Sequence, residues 1–312
     1  KWVKQSIHYW CPDTKEHKFL GQNVTVAILD TGISPHPDFK GRILLSGIFP
    51  VPLFLPKKFF FLSLISPLSS TIVDTEPCSR NSCGKRTSLF RNLCRNCSLL
   101  QSYYWEVLDQ NGNGSIKNVI NGIQWIRDIY TQFHIRIINI SVGTRPDLSI
   151  HQKLLLLNAV ESLWDLGLVV VVSAGNYGPA PGSVTVPGSS PKVITVGVPD
   201  TFPLIHTQRH PLNYSGRGPT DDCIVKPDVF APGTGIVSCN AFYSQFPNAP
   251  PYLSKTGTSM AAPVVSGAIA CLLSKYPFLT NAEVKLKLHA SCVQIPGTES
   301  GWGILDFSRL LE

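Results

Sequence analysis

Two periodicities run along this chain, and the switches between them lay out its elements. Asn23 to Leu29 is a short, apolar, β-branched run of the kind a strand covered on both faces shows. It ends at Asp30-Thr31-Gly32 and a loop carrying Pro35, Pro37 and Gly41. Residues 1–22 are mixed in character, with Pro12 and Gly21, and predict a surface lead-in. From Ser115 to about Gln132, the residues Val119, Ile123, Ile126 and Ile129 recur at helical spacing and predict one buried stripe. Ile135 to Ile140 reads as a second buried strand. Ile150 to Leu166 reads as a helix with Leu154, Leu157, Val160 and Leu163 facing inward. Leu168 to Val172 and Val193 to Val198 are further strands. An alanine-rich helix ends near Tyr276, and Thr280-Asn281-Ala282-Glu283 supplies an N-cap and the start of another. Strands alternating with helices predict an α/β chain with a mostly parallel central sheet flanked by helices, within one domain over residues 1–312.

Charge changes the picture in one place. The net charge of +7 invites a nucleic-acid reading, but residues 44–104 alone carry seven basic side chains against two acidic ones. The rest of the chain is close to balanced, which argues against a nucleic-acid partner. Four of the nine cysteines (Cys78, Cys83, Cys94, Cys97) fall in the same stretch, and an odd, irregular set does not read as a secreted disulfide framework. No apolar run reads as long enough to span a bilayer; Phe59 to Ile65 is short and follows Lys57-Lys58. The chain opens on Lys1 with no visible signal peptide, as a processed chain or a fragment would. Secreted and cytoplasmic settings both stay open.

Candidate chemistry sits where the helices and strands begin and end. Lys255-Thr256-Gly257-Thr258-Ser259 runs without a break into Met260-Ala261-Ala262-Pro263 and the alanine-rich helix, placing Ser259 at a helix N-terminus. That serine is either an N-cap or a nucleophile whose own N–H can stabilise an oxyanion. Asp30 at a strand end is either a turn former or a site carboxylate. Ser173-Ala174-Gly175-Asn176 closes another strand, and by itself Gly-Asn reads as a turn. The runs V-A-I-L-D-T-G-I-S-P-H-P-D-F, S-A-G-N, G-T-S-M-A-A-P and G-W-G-I-L-D, in this order, resemble the subtilisin-like serine protease family. The resemblance covers residues ~20–43 and ~107–307. It implies the three-layer α/β fold of that family and hydrolysis of peptide or protein substrates through an acyl-enzyme. It makes Ser259 the nucleophile, Asp30 the carboxylate that orients the base, and Asn176 the second oxyanion donor. Gly112, Asn113 and Gly114, with Ser141, Val142 and Gly143, fall where the family pairs with substrate backbone. Ser173, Ala174 and Gly175 complete the binding set, and His36 and Asp38 read as loop residues. No cofactor is required for the chemistry. A structural calcium is compatible with the resemblance but has no located site; Asp109 to Gly114 has the D-x-N-x-N-G beginning of a calcium loop and lacks its closing glutamate.

The triad needs a general base, and the histidine block G-H-G-T-H-V-A-G that the family carries after the aspartate strand is missing. No histidine lies between His36 and His134. His8, His17, His36, His134, His151, His206, His210 and His289 match no family histidine block. The genetic code offers an account. Shifted by one nucleotide, codons for Pro77 to Arg86 can spell H-V-A-G-I-A-A-G-N-G, and those for Arg95 to Ser98 can spell G-I-A-P. Shifted the other way, Val73 to Pro77 can spell G-H-G-T. Residues 44–106 therefore read as an aberrant, frameshifted segment in place of the catalytic-histidine region, lacking either period and expected to be poorly ordered. Two rivals remain: a zinc module built from its four cysteines, for which C-x4-C without a histidine is a weak match, and a recruited insertion on a protease scaffold. The chain as written is expected to be catalytically dead or nearly so.

Overall fold

In this computed structural model the described residues are 2–9, 11–34, 36–39, 43–48, 71–73, 101–108, 113–144, 148–200, 213–244, 246–294 and 301–312. Two short helices open the chain, α1 (Trp2–Ser6) and α2 (Pro12–Lys15). The fold is then built on β1 (Thr25–Asp30), buried at all six positions. After it come β2 (Ile43–Ile48), β3 (Thr71–Val73), β4 (Gln101–Glu106) and β5 (Asn113–Ser115). The chain continues through α3 (Ile116–Ile129), β6 (Ile135–Ile140), β7 (Gly143–Thr144), α4 (Ile150–Asp165), β8 (Val169–Ser173) and β9 (Ile194–Gly197). The last third holds β10 (Val229–Phe230), β11 (Ile236–Cys239), β12 (Tyr252–Lys255), α5 (Thr258–Lys275), α6 (Asn281–Ser291), β13 (Cys292–Val293), β14 (Ile304–Leu305) and α7 (Phe307–Leu311).

Nine strands form the central sheet in the order β13-β14-β10-β9-β8-β6-β1-β4-β2. Every pairing is parallel except β13 with β14. Alternate side chains of a strand point to opposite faces, so β1 divides its residues between two cores. Ala27 and Leu29 pack with Val119, Ile123 and Ile126 of α3 and with Leu156, Val160 and Leu163 of α4. Val26 and Ile28 pack with α5, α6 and α7 through Val265, Ile269, Leu288 and Phe307. This is the three-layer α/β arrangement. Each fully buried valine, leucine or isoleucine in it contributes roughly 1.5–3 kcal/mol of transfer free energy.

Three expectations need correction. Residues 1–22 are not a surface lead-in: Val3, Ile7, Tyr9 and Cys11 are buried. Tyr9 packs on Phe307 with ring centroids 4.9 Å apart, and the Phe307 N–H donates to the Ile7 carbonyl at 2.8 Å. Val3 and Ile7 lie one turn apart, too few positions for a period to register. In α4 the inner face is Leu156, Val160 and Leu163, while Leu154 is exposed, because four consecutive leucines let the stripe be drawn on either side. Finally, α5 is long and apolar enough to cross a membrane by length and composition, yet it is almost wholly buried as the central core helix. Within residues 44–106, the described parts belong to strands β2, β3 and β4; the other residues there, with Cys78, Cys83, Cys94 and Cys97, lie outside the described set.

Candidate active site

The first turn of α5 is where the sequence concentrates small polar groups. Gly257 is its N-cap, and Thr258 and Ser259 are its first two residues. The first N–H groups of a helix have no intrahelical acceptor. Here the Thr258 N–H donates to Asn176 Oδ1 at 2.9 Å, and the Thr258 hydroxyl donates to the same oxygen at 3.0 Å. Asn176 thus caps the helix from another element. With Oδ1 doubly used, the amide is fixed in rotation, and its Nδ2 is buried with no hydrogen-bond partner among the described residues. A buried amide donor left unmade costs about 1–3 kcal/mol, so its retention calls for a use.

Proline at 263 shapes the same turn. It has no N–H to return to the carbonyl of residue 259. That carbonyl is instead met by the Ser141 hydroxyl at 3.4 Å, and the Ser259 hydroxyl donates back to the Ser141 carbonyl at 3.1 Å. Ser141 Oγ also accepts from Asn139 Nδ2 at 3.0 Å, and Asn139 Oδ1 accepts from the Ser266 hydroxyl at 2.9 Å. The chain of bonds ties α5 to the end of β6.

Sheet order brings the remaining candidates to one edge. β1, β6 and β8 are neighbours in parallel register, Leu29 beside Ile140 and Ile140 beside Val172. Asp30, Ser141 and Ser173 therefore sit at the carboxyl ends of three adjacent strands, where parallel sheets open their clefts. Asp30 is 3% exposed, and its Oδ1 accepts the Thr31 N–H at 2.5 Å. Glu106, which sequence reading did not single out, ends β4 opposite Asp30. Its carboxylate lies where a Cβ on Gly32 would fall, 2.7 Å from Oε2; since Gly32 has φ +96°, only glycine fits there. Beyond β8, Ala174 pairs with Val196 and Thr185, and Gly175 at φ +92° lies against the Thr185 side chain while donating to the Thr258 hydroxyl at 3.2 Å.

The two stretches expected to hold substrate backbone do form strands, with a tenant between them. Asn113 and Gly114 belong to β5, and Gly143 and Thr144 form β7. β3 runs antiparallel to both, placing Ile72 opposite Gly114 and Thr144, and Val73 opposite Asn113 and Gly143. Ser141 and Val142, just before β7, are buried. Gly112, with Asp109 to Asn111 at the start of the calcium-like run, lies outside the described residues.

No described histidine is hydrogen-bonded to Ser259, whose hydroxyl bonds Ser141. His8 bonds Asp306 at 2.9 Å, and His17 lies near Asp13. His36 bonds the Pro251 carbonyl, His134 follows α3, His151 is exposed in the first turn of α4, and His289 stacks edge-on to Trp302. His206 and His210 lie outside the described residues. His36 is a loop residue as expected, while Asp38 falls in a one-turn 3-10 helix, Pro37–Phe39.

Comparison with known proteins bears on this arrangement. The Subtilase family, Peptidase_S8, matches residues 96–303. Serine protease AprX of Bacillus subtilis (strain 168) is 32% identical over 290 residues, which is 85% of this chain and 60% of that protein. Subtilisin DY of Bacillus licheniformis is 30% identical over 302 residues, covering 93% of each chain. The chain spans less than two thirds of AprX and of Subtilisin amylosacchariticus, 60% and 64% of their lengths. Among solved structures, the S41 psychrophilic protease superposes with a TM-score of 0.68 at 23% identity over 91% of each chain, a likeness of fold. With the family matched over more than half the chain and one relative covered almost end to end, the chain belongs to the subtilase family.

Proposed function

We propose that this chain carries the nucleophile and oxyanion half of a serine endopeptidase, and that the polypeptide as written lacks efficient turnover and binds peptide at most. The observation that carries the first part is the Asn176 amide. Its Oδ1 is locked on the helix start that holds Ser259, and its buried Nδ2 has no hydrogen-bond partner among the described residues. A tetrahedral intermediate formed by attack of Ser259 Oγ on a peptide carbonyl would place its oxyanion against Nδ2 and the Ser259 N–H, near the positive end of α5. Each such donor is worth roughly 2.7–4 kcal/mol of barrier.

The second part rests on proton transfer. Attack requires the Ser259 proton to leave, and that proton points at the Ser141 carbonyl, which cannot take it. Asp30 would orient and stabilise an imidazolium, but the family's histidine block is absent from the sequence. In subtilisin, losing the histidine costs about as much as losing the whole triad, roughly 10⁶ in kcat. Assay of the purified chain on an unfolded protein substrate tests this: cleavage should not exceed that of Ser259→Ala, and clear Ser259-dependent hydrolysis would overturn it.

A second reading is favoured by the codon coincidences in residues 73–98. Restoring the frame returns G-H-G-T-H-V-A-G and makes an ordinary active endopeptidase. Resequencing the gene across the codons for Ile43 to Leu108 decides between the two.

A further inference from the structure

Away from Ser259, three side chains of different chemistry converge between the loop that follows β1 and the β11–β12 hairpin. His36 Nδ1 lies 3.3 Å from Cys239 Sγ and 3.7 Å from Asp38 Oδ1, and Cys239 Sγ lies 3.6 Å from Asp38 Oδ2. All three ligand atoms fall within 4.8 Å of one another. We infer that His36, Asp38 and Cys239 form a binding site for a thiophilic divalent cation of the zinc type.

The spacing fits. Zinc bonds of about 2.3 Å to sulfur and about 2.0–2.2 Å to nitrogen and oxygen imply tetrahedral edges of about 3.3–3.6 Å, close to the separations found. One thiolate, one imidazole and one carboxylate suit zinc or cobalt better than the hard cations calcium and magnesium, which take oxygen sets. The imidazole is already set in the tautomer a ligand needs. His36 Nε2 bonds the Pro251 carbonyl at 3.1 Å, so that nitrogen carries the proton and Nδ1 presents its lone pair to the cluster. A histidine ligand oriented through its far nitrogen onto a carbonyl is the usual outer-shell device of such sites. The Tyr252 hydroxyl donates to Asp38 Oδ1 at 3.3 Å and fixes the carboxylate in the same way. Phe39, Tyr243 and Tyr252 surround the ring at 5.3–5.6 Å, holding its plane.

Access and competition set the terms of binding. His36 and Cys239 are buried, whereas the Asp38 side chain is 31% exposed and gives the ion its way in and water its place as fourth ligand. Without metal, Nδ1 accepts the Asp38 N–H at 3.2 Å and the Cys239 thiol. Binding displaces both the Asp38 N–H and the thiol from Nδ1, releases the Cys239 proton to solvent, and forms the metal–nitrogen, metal–sulfur and metal–oxygen bonds; no oxidation is involved, and affinity rises with pH. The ion would clamp the loop six residues after Asp30 to the hairpin whose second strand, β12, ends four residues before Ser259.

Cobalt(II) is the probe. The protein is titrated in a background with Cys78, Cys83, Cys94 and Cys97 replaced by serine, so that those thiols do not compete. One equivalent should develop a near-ultraviolet thiolate-to-cobalt band with tetrahedral visible bands, and zinc should bleach both. Cys239→Ala and His36→Gln should each abolish the thiolate band, and Asp38→Asn, which keeps the size of the side chain, should weaken cobalt binding at least tenfold. Far-ultraviolet circular dichroism checks that each variant is folded. A folded parent protein with no cobalt–thiolate band, or a band that survives in folded Cys239→Ala, overturns the inference.

Discussion

Asn176 does two jobs with one amide, and that makes its removal readable without catalysis. Asn176→Ala takes away the acceptor of the Thr258 N–H and hydroxyl and leaves the start of α5 uncapped. A lost cap of this kind costs about 1–2 kcal/mol, so chemical denaturation should show a drop of that size. An unchanged midpoint would mean that the asparagine is not held as described. Thiols give a second residue-scale test. Burial pushes Cys292 up to about 12, and its Sγ bonds the Leu288 carbonyl at 3.1 Å, whereas Cys223 is exposed. Iodoacetamide at pH 8 should therefore modify Cys223 in the native protein and spare Cys292, as mass spectrometry of the native digest would report. Much of this scale was legible in advance: G-T-S at a helix start and S-A-G-N at a strand end name the two elements that meet. The cap between Asn176 and Thr258 was not, because a contact between residues so far apart in sequence leaves no local period. The exchange of Ser141 and Ser259 hydroxyls across Pro263 was hidden for the same reason.

At the scale of elements, long runs with one period were readable and short ones were not. Val119, Ile123 and Ile126 define α3, and the β-branched runs define β1, β6 and β8. Val3 and Ile7, one turn apart, and the four leucines of α4 carried too little or too ambiguous a pattern. The strand β3 could not be foreseen at all, since Thr71–Val73 lies in a segment whose composition fits no period. Its position between β5 and β7 has a consequence for peptide binding, because a substrate adding as a strand would need the lane that β3 fills. Ile72→Pro removes a backbone donor from that central strand, which a paired strand does not tolerate. Amide hydrogen exchange should then accelerate at residues 113–115 and 143–144 and leave β6 and β8 unchanged. Equal exchange in both proteins would show that β3 does not close the lane.

Across the whole molecule, a buried charge pair that no hydrophobic period marks braces one side of the sheet. Lys226 Nζ lies 2.6 Å from Asp228 Oδ2 and 3.1 Å from the Val193 carbonyl, and Asp228 Oδ2 also accepts the Thr195 N–H at 2.7 Å. Burial pushes the Lys226 ammonium down while Asp228 beside it pulls it back up. The pair stitches β9 to β10 and through it to β14. Lys226→Met strands the Asp228 carboxylate in the interior, at a cost of about 3–5 kcal/mol in unfolding free energy. A loss below about 1 kcal/mol would mean that the pair is hydrated. The proposed function also belongs to the whole molecule: a subtilase frame in which we propose Ser259 as nucleophile and Asn176 as oxyanion donor, with no histidine base for the serine among the described residues. A fluorophosphonate probe reads that state directly, because it labels only an activated serine. The measurement is probe labelling of the purified chain beside Ser259→Ala, followed by intact-mass spectrometry. No labelling above the Ser259→Ala background is the result predicted; stoichiometric labelling at Ser259 would contradict the account.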